Sequence, residues 1–380
     1  MSKKTTEKIL AVATLCILAA AWFAGGMRSE GANLSRIKNI SPEIERIKQI
    51  SPSVYEGQRK GNPAEKIYIA LAEYPSYGGP LQVAVVVNKD KTVERVALVK
   101  STDTITYIDR VLNEGILDGF LGAEDTQLPE IDAVSGATLS STAMIMGVQE
   151  AIAKIQGRET VQATMSLSSE EMIKAGLTVA LFIMAIFIAS RFFRWNKNYA
   201  RLGLLALSTV LLGFMYGAQP SLGSIALFLS GLWTKGMASY TALICLGLAM
   251  LVFLATRKNL YCSMVCPFGG IQEGLGRITK CAPSKKTEWM KWTARIFALV
   301  ALSAALYFRN PSDAQYAPFG MAFSFIGSDA VFALFVLIVV ASLIVKRPWC
   351  TLLCPAGPVF DYIAFMRNWI MPKKKKEQHL

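Results

Sequence analysis

Two stretches of this 380-residue chain carry the same arrangement of thiols. One reads Arg257-Lys-Asn-Leu-Tyr-Cys262-Ser-Met-Val-Cys266-Pro267-Phe-Gly269. The other reads Lys346-Arg-Pro-Trp-Cys350-Thr-Leu-Leu-Cys354-Pro355-Ala-Gly357. Both are basic, then aromatic, then Cys-x3-Cys-Pro-x-Gly. The match continues to Glu273 and Asp361, each at the same offset from the first cysteine. This is an internal duplication. On a helix, residues four apart share a face. Two such pairs brought together offer four thiolates, the ligand set of an iron–sulfur cluster. Zinc also accepts four thiolates, and Cu(I) accepts fewer. The bland alternative is a Cys-Pro-x-Gly turn closing a membrane span, its thiols merely packed. One copy would favour that reading; two matched copies favour a metal or redox centre. The spacing is not the C-x2-C-x2-C run of ferredoxins, so the cluster type stays open. Cys16 and Cys245 lie inside apolar runs and read as packed thiols. Cys281 reads as a loop thiol, with a role as an extra ligand the alternative.

A second chemically dense stretch runs Ile131-Asp132-Ala133-Val134-Ser135-Gly136-Ala137-Thr138-Leu139-Ser140-Ser141-Thr142. Read structurally, it is a turn into a helix that Ser135 or Ser140 would cap, with Thr142 in the first turn. That accounts for the density of hydroxyls but not for their order. Gly136 and Ala137 would let an anionic group approach the backbone. Amides at a helix start would stabilise its charge.

The order Asp132-x-x-Ser135-Gly136-Ala137-Thr138 resembles the flavinylation motif of the FMN-binding domains found in sodium-pumping quinone reductases, Rnf complexes and the NosR/NirI family. The resemblance implies FMN esterified through its phosphate to Thr138, with Ser140 the runner-up hydroxyl. It implies phosphate contacts from Ser135, Gly136, Ala137 and Ser140, and recognition of Asp132 by a flavin transferase. Tyr77-Gly78-Gly79-Pro80 resembles the glycine-rich turn of such domains, and Thr102 and Thr104 would approach the isoalloxazine by analogy. An FMN domain, a polytopic membrane part and two C-x3-C-P motifs together resemble NosR/NirI-type membrane flavoproteins over nearly the whole chain. Length and layout are most like the short PceC/RdhC type associated with reductive dehalogenases, which lack a C-terminal ferredoxin domain.

The elements that must position these residues are legible from hydropathy. Apolar residues make up 53% of the chain and charged residues 18%, which excludes a disordered chain. The apolar residues gather into runs near the length that crosses ~30 Å of hydrocarbon. They cover about 9–27, 175–193, 202–218, 237–256, 292–308 and 329–345. Pro220 to Trp233 is interrupted by Pro220, Gly223 and Gly231, and reads as a half-buried helix on the outer face. The single histidine, His379, argues against bis-histidine haem, His-based zinc enzymes and Ser-His-Asp hydrolases. Seven cysteines are too few and scattered for a disulfide scaffold.

The expected fold is therefore an α-helical polytopic membrane protein of about six spans, with an extracytoplasmic α+β FMN-binding domain inserted between spans 1 and 2. The divisions are residues 1–27, a retained signal anchor; 28–60, a linker with an amphipathic turn or two; 61–165, the FMN domain; and 166–380, a five-helix membrane domain. In the FMN domain, Gln82–Asn88 and Val93–Val99 read as a hairpin, and residues 107–117 and 141–155 as helices. The net charge of +13 divides unevenly. Residues 28–173 hold 15 basic and 20 acidic residues, a net of −5; the remainder holds 25 basic and 7 acidic, a net of +18. Most of those 25, including Lys373 to Lys376, fall on loops that six spans would place inside. The positive charge is thus a topology signal and not a nucleic-acid footprint. It puts both termini and the cysteine motifs in the cytoplasm and the FMN domain outside the cytoplasmic membrane.

The resulting functional expectation is transmembrane electron transfer, as a component of a respiratory chain more than a stand-alone enzyme. Electrons would enter from menaquinol or a low-potential cytoplasmic donor and leave through FMN to an extracytoplasmic reductase such as a reductive dehalogenase. A membrane redox sensor, or a maturation factor for that reductase, is the alternative. Flavin and cysteines would stand about one hydrocarbon thickness apart, ~30 Å, and so need a relay such as a quinone. Tyr216 and Trp233–Lys235 could neighbour that quinone, though belt aromatics explain them equally.

Overall fold

The structure is a computed structural model. It describes residues 3–29, 40, 42–51, 53–158, 169–235, 237, 239–281, 287–325 and 329–370. His379, the Lys373–Lys376 run and part of the 28–60 linker lie outside these residues.

A long N-terminal helix, α1 (Lys3–Ser29), precedes five strands. They are β1 (Ile44–Ser51), β2 (Val54–Arg59), β3 (Asn62–Ser76), β4 (Gly79–Val87) and β5 (Val93–Lys100). They form one antiparallel sheet in sequence order. The expected hairpin is β4–β5, and its turn is held by the Asn88 side chain, which accepts from the Asp90 and Thr92 amides at 3.0 Å each. Helices α2 (Ile105–Asn113) and α3 (Thr138–Ile155) cover one face. Alternation along β4 explains the two cores. Leu81, Val83, Val85 and Val87 face the helices with Met144 and Val148, while Ala84 and Val86 face Ile67, Ile69 and Tyr55.

The sheet begins earlier than expected. Residues 44–59 were expected in the linker, yet they form β1 and β2. The spacing of three between Ile44 and Ile47 mimics a helix because a bulge lies between them. Arg46 sits at φ 52° and the pairing register shifts between Glu45 and Lys48. An inserted residue resets the inward–outward alternation.

The remaining helices are α4 (Ser169–Ala189), α5 (Lys197–Ser208), α6 (Leu222–Ser230), α7 (Thr241–Thr256) and α8 (Pro267–Ile278). They continue as α9 (Glu288–Phe308), α10 (Phe319–Ser324), α11 (Asp329–Ile344), α12 (Pro348–Leu352) and α13 (Ala356–Ile370). A π-turn, Thr209–Met215, prolongs α5. Among the described residues, four helical stretches are long and apolar enough to cross a membrane: Thr5–Met27, Ser169–Ala189, Lys197–Met215 and Glu288–Phe308. Thr241–Thr256 and Asp329–Ile344 are apolar but shorter. At 1.5 Å per residue, each of those two covers only about 24 Å. Helix α1 packs along α9: a Cβ on Gly25 would lie 2.3 Å from the Leu306 carbonyl oxygen, and Arg309 sits over the Trp22 ring at 4.9 Å.

Between α9 and α11 the chain turns back into the protein. The segment starts with a short turn at Pro311–Ala314 and ends in α10. Pro311, Ala314, Met321, Ala322 and Phe323 are buried. The Phe323 ring meets Phe214 at 5.2 Å, and a Cβ on Gly213 would lie 2.4 Å from it. Irregular backbone is tolerated at such depth when protein surrounds it.

Candidate functional site

The sheet domain gathers its chemically distinctive residues at one end. The β3–β4 hairpin closes through Tyr77 and Gly78, with Ser76 paired to Gly79. Helix α3 starts at Thr138, two residues before Ser140. Asp103, 2% exposed, ties the two together. Its Oδ2 accepts from Ser76 Oγ and from Ser140 Oγ, each at 2.5 Å. Its Oδ1 accepts from the Gly78 amide at 2.6 Å. Burial pushes the Asp103 carboxyl above the usual aspartate range, against the opposing pull of the Ser140, Ser76 and Gly78 hydrogen bonds. Gly78 has no room for a side chain, since a Cβ would lie 2.3 Å from the Thr102 carbonyl oxygen.

The motif residues divide by exposure. Asp132, Ser135, Gly136 and Thr138 are exposed, while Val134, Ala137 and Ser140 are buried. Gly136 takes φ 81°, a left-handed conformation that suits glycine. Ala137 is the N-cap and carries no capping side chain, so neither Ser135 nor Ser140 plays the capping role anticipated for it. Ser141 instead accepts from the Val134 amide at 2.9 Å, holding the turn to the helix. The first-turn amides of α3 thus lack a side-chain acceptor beside the exposed Thr138 hydroxyl. That hydroxyl makes only a 3.4 Å contact to the Val134 carbonyl. Ser140, by contrast, is spent on Asp103.

The same end of the domain docks on the helical part. Tyr77 packs on Tyr107 at 5.9 Å, and its hydroxyl donates to the Gly217 carbonyl at 3.3 Å. Burial, the neighbouring Tyr107 and Asp103 push the Tyr77 phenol well above its usual range, so it remains a donor. Thr104 Oγ1 donates to Gln315 Oε1 at 2.5 Å. Thr102 is buried, and its hydroxyl donates to the Pro80 carbonyl at 3.2 Å.

The two cysteine motifs fold alike. In each, the amide of the second cysteine donates to the carbonyl of the residue preceding the first. Cys266 bonds Tyr261 at 2.8 Å, and Cys354 bonds Trp349 at 2.9 Å. The copies also interlock. Gln272 Nε2 reaches Cys350 Sγ at 3.6 Å, while its Oε1 accepts from the Trp349 amide at 3.1 Å. Arg347 donates to the Cys262 carbonyl at 2.9 Å. Glu273 is the hinge of this arrangement: its buried carboxylate pairs with Arg201, Arg347 and Arg277. Burial would raise its pKa, yet the Arg201 hydrogen bond and the charges of Arg347 and Arg201 hold it at about 2. Its repeat partner Asp361 is exposed, 3.9 Å from Arg295.

All four thiols, Cys262, Cys266, Cys350 and Cys354, lie within electrostatic reach of one another. They are not joined as disulfides. Among the described residues, no three ligating side chains converge on a single-ion site. Cys245 is fully buried among apolar side chains, and Cys281 stands beside Gly276 at the far end of α8.

Comparison with known proteins identifies both regions. Residues 76–153 match the FMN-binding domain family, and residues 238–287 and 330–376 each match the 4Fe-4S binding domain family. The chain carries an FMN-binding domain and a duplicated 4Fe-4S binding domain. It is similar to "Protein NirI" of Paracoccus denitrificans (strain Pd 1222), 27% identical over 205 residues. That alignment covers 48% of this chain and 30% of that protein. It is also similar to "Putative electron transport protein YccM" of Escherichia coli (strain K12), 24% identical over 206 residues, covering 49% of this chain and 56% of that protein. The chain thus spans about a third and about half of these two relatives. No solved structure matches. Its long apolar helices, of a length and composition that can cross a membrane, accompany these two domains.

The FMN domain fits its cofactor through the uncapped start of α3 and the exposed Thr138. The 4Fe-4S domain fits through its donors. Cys266 is the N-cap of α8, ahead of the first-turn amides of Phe268 and Gly269, and it packs in one apolar cluster with Tyr261. Arg347 adds positive charge there. Arg347 Nε and Trp349 Nε1 are buried donors without an acceptor among the described residues. Four thiols ringed by N–H donors and an arginine suit an anionic cluster.

Sequence reasoning missed Asp103, although it flagged Thr102 and Thr104 on either side. A buried acid between two threonines was the available signal. It also passed over Gln272, Arg347 and Arg201, whose roles arise only when the two copies meet.

Proposed function

We propose that this protein passes electrons between the four-cysteine centre and an FMN held covalently on Thr138. The observation that carries this reading is the inward-turned segment between α9 and α11, which touches both sites with adjacent residues. Gln315 bonds Thr104 of the FMN domain, and Tyr316 donates to the Leu353 carbonyl at 3.1 Å, one residue before Cys354. Two side chains and one Cα step bound that path at roughly 20 Å. That path is shorter than the expected full hydrocarbon thickness, because the segment between α9 and α11 turns back inward. On this reading it would spare a separate relay between flavin and cysteines. Electron tunnelling falls steeply with distance, and bonded contact favours it.

Bound FMN would couple two-electron donors to one-electron acceptors. The protein's part is placement: Asp103 fixes the Tyr77–Gly78 turn against the start of α3, and Thr104 and Tyr77 hold the domain on the helical part. The Lys/Arg distribution supports an FMN domain outside the membrane, with both termini and the cysteine motifs toward the cytoplasm. The donor would be menaquinol or a low-potential cytoplasmic carrier, and the acceptor an extracytoplasmic reductase. The resemblance to the PceC/RdhC type nominates a reductive dehalogenase as that acceptor.

The test is full-length protein made anaerobically with a flavin transferase. Mass spectrometry should find FMN on the Thr138 peptide, and Thr138→Val should abolish flavin fluorescence of the denatured protein. Iron and sulfide should be present and fall on Cys262→Ala or Cys350→Ala. Flavin retained in Thr138→Val would move the attachment elsewhere. Iron-free protein with full electron transfer would restore the packed-thiol reading. Membranes that cannot reduce the acceptor, together with altered transcription in a deletion strain, would favour the sensor.

A further inference from the structure

Trp349 is 2% exposed, and its indole N–H has no acceptor among the described residues. Leaving a buried donor unpaired is costly, and folded proteins rarely do so. The residue is not free to relocate. Its amide donates to Gln272 Oε1 at 3.1 Å, and its carbonyl accepts from the Cys354 amide at 2.9 Å. Its ring is flanked by Phe268 at 6.2 Å and Tyr316 at 6.1 Å. The apolar cluster it belongs to includes Cys266 and Cys354, and the next residue in the chain is Cys350. An unpaired donor fixed among three of the four thiols points to an acceptor that is not a protein atom.

The internal repeat gives a second, independent indication. Tyr261 occupies the same position in the first copy, immediately before Cys262. Its carbonyl accepts from the second cysteine of its own motif, as that of Trp349 does. Its ring packs in one apolar cluster with Cys262 and Cys266. Each copy thus places an aromatic ring with a polar hydrogen at one position beside the thiols. In the second copy that hydrogen has no acceptor among the described residues.

We propose that the Trp349 indole N–H donates a hydrogen bond to a sulfur atom of the cluster and thereby sets its reduction potential, with Tyr261 acting in the same sense from the other copy. This rests on the reading of the four cysteines as a cluster site. A donor to sulfur favours the more negative, reduced form, so it raises the potential. Trp349 is then a positioning and tuning residue. It ligates nothing, and its removal should leave the thiols in place.

The test uses full-length protein purified anaerobically, with iron, sulfide and FMN assayed before redox titration followed by EPR. Trp349→Phe keeps a ring between Phe268 and Tyr316 but has no N–H. The expected result is unchanged iron and flavin content, a cluster midpoint shifted to more negative potential and an unchanged flavin midpoint. Tyr261→Phe should shift the cluster in the same direction. A Trp349→Phe cluster with full iron and an unshifted midpoint would overturn the proposal while leaving the cluster reading intact. If that variant loses iron, ENDOR of the unmutated protein with 15N-indole tryptophan decides. An indole 15N coupling to the reduced cluster supports the bond, and no coupling overturns it. Iron-free unmutated protein would overturn both readings together.

Discussion

Asp103 offers the sharpest test of how the FMN domain is held. Its carboxyl is buried and receives two hydroxyls and one amide, yet burial still raises its pKa. The folded state therefore prefers the neutral acid more than water does. Asp103→Ala removes all three acceptor bonds. The Gly78 amide cannot turn away, and its lost bond to a charged or polar acceptor costs about 1.5–3 kcal/mol. The two serine hydroxyls can rotate, so about 1 kcal/mol each is reasonable. The expected loss is about 3–5 kcal/mol. Asp103→Asn keeps an acceptor for Gly78 and donates to the serines, mimicking the neutral acid, so it should cost about 1 kcal/mol or less. The pH dependence has a definite sign. Between the unfolded and folded pKa, the folded protein holds a proton that the unfolded chain has lost. Stability is greatest below that window and falls as pH rises through the folded pKa. Thermal unfolding of the purified full-length protein, followed by flavin fluorescence at several pH values, measures both effects. At about 4 °C per kcal/mol, the alanine variant should melt more than 10 °C lower and the asparagine variant within about 4 °C of the parent. Asparagine should also flatten this part of the pH profile. An asparagine variant as unstable as alanine, or an unchanged pH profile, would refute the reasoning.

Two further outcomes follow from the same geometry. Glu273→Gln leaves Arg201, Arg347 and Arg277 without their shared carboxylate, and breaking one side of a buried ion pair costs about 3–5 kcal/mol. Thermal denaturation and iron content should both fall, because Arg347 and α8 hold the two cysteine copies together. Gln315→Ala breaks the contact to Thr104 and should slow electron exchange between flavin and cluster at least tenfold, with iron and FMN content unchanged. Stopped-flow absorbance resolves that, and an unaltered rate would remove the 315–316 bridge from the account.

Much of the candidate site could be read from the sequence because its chemistry is local. The Cys-x3-Cys-Pro repeat and the Asp132–Thr138 order each occupy a dozen residues, and their neighbours follow from chain geometry. The β4–β5 hairpin was equally local, with Val83, Val85 and Val87 alternating across a polar turn. Strand β1 was hidden because the Arg46 bulge broke the alternation that would have revealed it. Asp103 was hidden because its partners, Ser76 and Ser140, lie 27 and 37 residues away. The inward turn between α9 and α11 could not be read at all. Nothing in residues 311–324 announces that Gln315 will meet Thr104 while Tyr316 meets Leu353. That proximity exists only once the helices pack.

The most direct test of the central claim follows both chromophores at once. Full-length protein carrying FMN and cluster is reduced photochemically at the flavin under anaerobic conditions, and absorbance and freeze-quench EPR are recorded over time. The account predicts that electrons leave the flavin and reduce the cluster in one shared kinetic phase, and that this phase slows in Gln315→Ala. A flavin that stays reduced beside an oxidised cluster of higher potential would contradict it.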